Sequence, residues 1–77
     1  LQAFVDNRLV LVKIAARITG CRYSTLKFYT EEGMLPFEQA EENLTRRFPR
    51  EAAVARIEQI RSLRQDGLSI PAIKKLL

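Results

Sequence analysis

Histidine is absent from this 77-residue chain, and cysteine occurs once, at Cys21. Without them there is no donor set for a zinc site, no disulfide framework and no Ser-His or Cys-His nucleophile system. Long apolar runs are missing too. The longest near the start, residues 9–12, is four residues long, against roughly 18–20 for a helix that crosses a bilayer. The first residues carry neither the basic segment nor the long apolar segment of a signal peptide. One unpaired thiol and no export signal predict a cytoplasmic protein with no membrane partner. Size is also short. A chain of this length buries only about 60–65% of the surface its unfolded form exposes, enough for one modest core. An ordinary enzyme needs a scaffold and a walled cleft, so neither enzymatic activity nor a cofactor is expected. The chain begins at Leu1 rather than Met and stops on Leu76-Leu77 inside a helical pattern, which reads as a piece of something longer.

What is present is globular and basic. Hydrophobic residues make up 47% and charged residues 29%, above the hydrophobicity at which a chain stays disordered. Thirteen Lys and Arg against nine Asp and Glu give a net charge of +4, the electrostatic footprint of a polyanion partner. The distribution says more than the sum. Residues 11–30 hold four bases (Lys13, Arg17, Arg22, Lys27) and no acid, whereas residues 31–42 hold five acids (Glu31, Glu32, Glu38, Glu41, Glu42) and no base. Residues 43–64 hold six arginines (46, 47, 50, 56, 61, 64) against Glu51 and Glu58. The two basic segments are the ones that could face phosphate; the acidic stretch from Glu38 to Glu42 should turn away from it or form the base of a hairpin.

Four helices are predicted. The first covers residues 12–18, with apolar Val12, Ala15, Ala16 and Ile18 on one inward side, and ends at Thr19-Gly20 because glycine takes the left-handed cap. The second covers residues 24–32 with Leu26 and Tyr29 on one face, and Gly33 ends it the same way. The third starts near Pro49 or Arg50, buries Ala53, Ile57, Ile60 and Leu63, and ends at Gly67. Ser69 is the expected N-cap of a fourth, residues 70–77, with Ile73, Leu76 and Leu77 inward and Pro71 harmless in its first turn. Residues 37–48 lack a helical period and fit a loop or a short hairpin turning at Glu42-Asn43.

Ala16, Gly20 and Leu26 have the spacing of a helix-turn-helix. A small residue lets the second helix cross the first closely, glycine supplies the positive φ of the turn, and an apolar residue anchors the second helix. The outer face of that second helix presents Tyr23, Ser24, Thr25, Lys27 and Phe28, with Arg22 at its entry, and its N-terminal part is what enters a major groove. Tyr29 shares the face of Leu26 and belongs to the core. Phe28 is exposed on a basic face and is a contact candidate. Cys21, in the turn, reads as a small buried filler. Arg56, Arg61 and Arg64 read as solvated or paired with Glu58 and Asp66.

Thr25-Leu26-Lys27-Phe28-Tyr29, followed by Glu31-Glu32-Gly33-Met34-Leu35-Pro36, resembles the opening signature of the MerR family of bacterial transcription regulators. The stretch Leu63-Arg64-Gln65-Asp66-Gly67-Leu68-Ser69-Ile70-Pro71-Ala72-Ile73 is similar to the family's second pair of helices, so the resemblance covers residues 12–77. It implies a mainly α, winged helix-turn-helix fold with four helices and a short β-hairpin wing between helices 2 and 3. The segments would be 11–33 for the helix-turn-helix, 37–48 for the wing and 49–77 for the second helix pair, in a single domain of residues 1–77. It further implies sequence-specific binding to double-stranded DNA as an inverted-repeat operator, with a homodimer for the full-length protein and a monomer for this chain alone.

The DNA-binding residues that the resemblance and the face together assign are Arg22, Tyr23, Ser24, Thr25, Lys27 and Phe28 on the recognition helix, and Arg46 and Arg47 in the wing. Tyr29 also falls on a family contact position. The departures bear on specificity. Ser24 stands where the family commonly has Arg, and Lys27 replaces an Arg, losing the planar two-pronged donor that reads guanine. Phe28 replaces a Tyr and its hydroxyl. The wing lacks the usual Gly-Tyr-Arg pattern, and Phe48-Pro49 allows either Arg46 or Arg47 as the wing arginine. Two other readings share the same residues: an excisionase-like or architectural protein that bends DNA, and a protein-interaction module that has kept the fold without binding DNA.

Overall fold

The chain runs through a two-residue strand, two short helices, a second two-residue strand and two further helices in a computed structural model that describes residues 8–39 and 45–77. The elements are β1 (Leu9–Val10), α1 (Val12–Thr19), α2 (Tyr23–Glu31), β2 (Phe48–Pro49), α3 (Arg50–Gln65) and α4 (Ile70–Leu76). The mainly helical winged helix-turn-helix expected from the sequence is the fold observed.

Glycine in the left-handed region ends the first three helices. At Gly20, φ is 75° and its N–H donates to the Ala16 carbonyl at 2.8 Å, turning the chain tightly enough for α2 to cross α1. At the end of α2, the Gly33 N–H reaches the Thr30 carbonyl and the Met34 N–H reaches the Tyr29 carbonyl. That paired arrangement satisfies carbonyls the helix would leave orphaned, and it turns Met34 back onto the core. The same pattern recurs after α3, where Leu68 N–H bonds the Leu63 carbonyl and Gly67 N–H the Arg64 carbonyl. Ser69 then caps α4 as expected, its hydroxyl accepting from the Ala72 N–H at 3.3 Å.

The core is small: Ala15, Leu26, Met34, Leu35, Phe48, Ala53, Ile57, Ile60 and Ile73 are the buried apolar residues. Every element except β1 contributes directly, and Val10 of β1 packs against the cluster. Leu26 fills the angle between α1 and α2, as its spacing from Gly20 predicted. Burying a side chain of the size of Ile57 or Ile60 contributes about 1.5–3 kcal/mol, so the α3 stripe is a major part of the stability of so small a core.

Two inward assignments are corrected. Ile18 is 44% exposed and Leu76 is 60% exposed. The covered stripe of α1 runs through Val12, Ala15, Ala16 and Thr19, with Thr19 in the place expected of Ile18, and that of α4 runs through Ile70, Ile73 and Leu77 without Leu76. Thr19 can be buried because its hydroxyl donates to the Ala15 carbonyl at 2.8 Å, and Thr30 repeats the device on α2 with the Leu26 carbonyl. Met34 and Leu35, which no helical stripe in the sequence included, are core residues.

The hairpin option for residues 37–48 holds at its base. Glu38 and Arg47 form an antiparallel bridge, with N–H to carbonyl distances of 2.7 and 2.9 Å. The expected turn at Glu42-Asn43 lies outside the described residues. Just past the bridge, the returning segment changes partner: β2 pairs antiparallel with β1, Val10 opposite Phe48 and Leu9 opposite Pro49. The first strand was not foreseen from the sequence. It ties the wing's root to the chain ahead of α1, and Pro49, with φ −60°, passes the chain straight from β2 into α3.

Candidate nucleic-acid interface

The outer surface of α2 divides into two sides. Arg22, Tyr23, Ser24, Lys27 and Phe28 are all exposed, with Tyr23 at 52% and Phe28 at 46%. Successive residues sit about 100° apart around a helix, which sends Tyr23 and Lys27, one turn apart, toward the wing. There they line a cleft of about 340 Å³ with Val12, Thr30, Gln39, Thr45, Arg46 and Phe48. Ser24, Thr25 and Phe28 line a second, shallower groove with Tyr29, Arg64 and Ile70. Lys27 thus flanks Leu26 rather than opposing it, and Thr25 is half-buried instead of belonging to the outermost face. Tyr29 packs against the core, its ring 6.0 Å from that of Phe28.

The wing arginines are differently disposed, as neighbours in an extended segment must be. Arg46 shares the side of Phe48 and turns toward α2. Its guanidinium lies over the Phe37 ring, 4.8 Å from the centroid, and Nη1 donates to Glu31 Oε1 at 2.9 Å. Phe37 in turn rests on buried Phe48, ring centroids 6.2 Å apart. Arg47 lies on the opposite side, exposed, with its backbone committed to Glu38. The acid at Glu38 therefore stands at the base of the wing, one of the two placements expected for it, while Glu41 and Glu42 lie outside the described residues.

Chain comparison decides the family. The sequence profile of the MerR HTH family regulatory protein matches residues 12–77, from the start of α1 to beyond α4. The chain belongs to the MerR HTH regulatory family. No curated protein and no solved structure matches it. Membership of the MerR family makes this chain a DNA-binding regulatory domain, and among the described residues no helix is long and apolar enough to cross a membrane.

The MerR helix-turn-helix is fastened to the second helix pair by arginines that the sequence reading left solvated or paired with Glu58 and Asp66. Arg56 Nη1 donates to the Met34 carbonyl at 2.9 Å, just past the end of α2. Arg61 Nη2 donates to the Thr19 carbonyl, the last of α1, and to Cys21 Sγ at 2.9 Å. Cys21 is half-buried and is an acceptor rather than only a filler. The Cys21 sulfur, and then the Glu58 carboxylate 3.4 Å from Nη1, hold the Arg61 pKa above its already high ordinary value. Of the expected pairings, Arg61 with Glu58 is present, while Arg64 donates instead to the Leu68 carbonyl at 3.3 Å. Arg61 takes up a carbonyl left over where α1 stops, and Arg56 and Arg64 take up carbonyls of the connections after α2 and α3, needs that no spacing in the sequence announces.

Glu31 and Glu32 were likewise read only as part of an acidic block. Glu31 holds Arg46 of the wing, and Glu32 Oε1 accepts from Lys74 Nζ of α4 at 3.2 Å. Carboxylates at a helix C-terminus oppose the helix dipole, and here each is matched by a cation brought in from another element.

Proposed function

We propose that this MerR-family domain binds double-stranded DNA sequence-specifically, with α2 in the major groove and the wing against the flanking backbone. The single observation that supports this most is the exposed, acid-free N-terminal half of α2 facing Arg46 across a cleft. Arg22, Tyr23, Ser24, Lys27 and Phe28 are available to base edges and groove walls, and Thr25 contributes from the groove side. Arg46 and Arg47 supply phosphate contacts, Arg46 from the cleft side and Arg47 from the outer side. No bond of the chain is made or broken in this activity; it is recognition, with counterion release supplying much of the affinity.

In this reading the domain is a single unit of residues 1–77, acting in the bacterial cytoplasm, and the full-length protein binds an inverted repeat as a homodimer. This chain alone is expected to be monomeric. The test is a salt titration of binding to two duplexes, one enriched by selection from a random pool and one of mixed sequence. Specific recognition predicts a steep salt dependence on both and tighter binding to the enriched site, by a factor on the order of 10³ or more. Equal affinity for both duplexes would favour an architectural protein, and the absence of any salt-dependent binding would favour a protein-interaction module.

A further inference from the structure

Glu31 lies on the outer surface of α2, one turn beyond Lys27 (i, i+4) and beside Phe28 (i, i+3). A carboxylate there repels DNA phosphate, so its presence on a DNA-facing helix needs a reason. The structure supplies one. Among the described residues, Glu31 engages one prong of the Arg46 fork, Nη1, and the flat face of the guanidinium rests on Phe37. Five N–H donors are present on a guanidinium, so among the described residues the remaining donors are unengaged beside the cleft that Arg46 shares with Lys27 and Tyr23.

We propose that Glu31 is a positioning residue for DNA binding, holding the Arg46 guanidinium between its carboxylate and the Phe37 ring so that the open edge of the fork meets phosphate beside α2. This rests on the DNA-binding reading above. An unrestrained arginine on a wing must lose its rotamer freedom when it meets DNA; one already held on two sides has lost much of it. The ring below it is fixed in turn, because Phe37 sits on buried Phe48. The chain Phe48, Phe37, Arg46, Glu31 therefore sets the spacing between wing and recognition helix before any ligand arrives.

The experiment measures affinity of the chain for a mixed-sequence duplex with Glu31→Ala, Arg46→Ala, the double variant and Glu31→Gln. Glu31→Ala is expected to weaken binding about three- to tenfold, the cost of immobilising one long side chain. The melting temperature should not change, because the pair is exposed. In the Arg46→Ala background the same change is expected to cause no further loss, and removal of the then unpaired carboxylate tightens binding if it acts at all, the signature of a residue acting through its partner. Glu31→Gln, which keeps an acceptor oxygen for Nη1, is expected to restore parental affinity. The salt slope should fall by about one with Arg46→Ala and stay unchanged with Glu31→Ala. Three results would each overturn the proposal: parental or tighter binding by Glu31→Ala, an undiminished effect of that change when Arg46 is already gone, or no rescue by glutamine. Failure of the parent chain to bind DNA at all would overturn the function instead, and the two failures are distinct.

Discussion

Replacing Arg61 by Met tests whether the helix-turn-helix is held to α3 by polar staples as well as by the core. Methionine keeps the apolar stem and removes every donor. The change strands the Thr19 carbonyl and Cys21 Sγ, both of which accept from Nη2, and it removes the Glu58 pair. A hydrogen bond from a charged donor contributes about 1.5–3 kcal/mol when well shielded. The Arg61 side chain is 39% exposed, so water replaces part of what is lost. The exposed pair with Glu58 adds little to that loss. Loss of these bonds from a domain of this length is expected to lower the melting temperature by roughly 5–15 °C by circular dichroism. Glu58→Ala is the control and should move the midpoint by less than about 3 °C. Arg61→Lys should fall between, since one ammonium cannot reproduce the two-acceptor geometry. A methionine variant that melts within about 2 °C of the parent would show that the staple contributes nothing.

Gly20→Ala should destabilise by about 1–2 kcal/mol through the left-handed φ alone. A Cβ built there meets nothing within 4 Å, so the helices need not be pushed apart, and a larger loss on denaturant unfolding would contradict that. Lys27→Ala should lose roughly 1–3 kcal/mol of affinity on an enriched site and less on mixed-sequence DNA; an equal loss on both would make Lys27 a phosphate contact. Arg46→Ala combined with Arg47→Ala should weaken binding alike on both duplexes and reduce the salt slope by about one to two. An unchanged slope would remove the wing from the interface.

The helices were legible in the sequence because their ends were. Gly20, Gly33 and Gly67 all adopt positive φ, and Ser69 and Pro49 stand where α4 and α3 begin. The burial of Met34 also had a signal, since an apolar residue directly after a capping glycine commonly packs back on the helix it ends. The exposure of Ile18 and Leu76 had none. Ala15 can be flanked by Ile18 or by Thr19 on a helical face, and only the neighbouring helix decides which one is covered. Strand β1 was hidden for a different reason: two residues are too few to show alternation, and the partner lies about forty positions away. As for the candidate interface, spacing pointed to the outer face of α2, and the resemblance to the MerR family pointed to Arg46 and Arg47 in the wing. They could not separate Arg46 from Arg47, because that depends on which one shares the side of Phe48.

The root of the wing has a consequence for how chain length can vary in this protein. Registration is set at the base of the hairpin, by Glu38 with Arg47, and just past it, by Val10 with Phe48. Residues inserted between Glu38 and Arg47 leave every one of those partners in place, so wing reach can change without disturbing the core. A deletion of one residue at Arg47 has the opposite outcome. With Phe48 kept at its station opposite Val10, Arg46 would move into the outward position and its side chain would leave Glu31 and Phe37. Insertions are therefore tolerable ahead of Arg46, whereas the three residues Arg46, Arg47 and Phe48 admit no change in number.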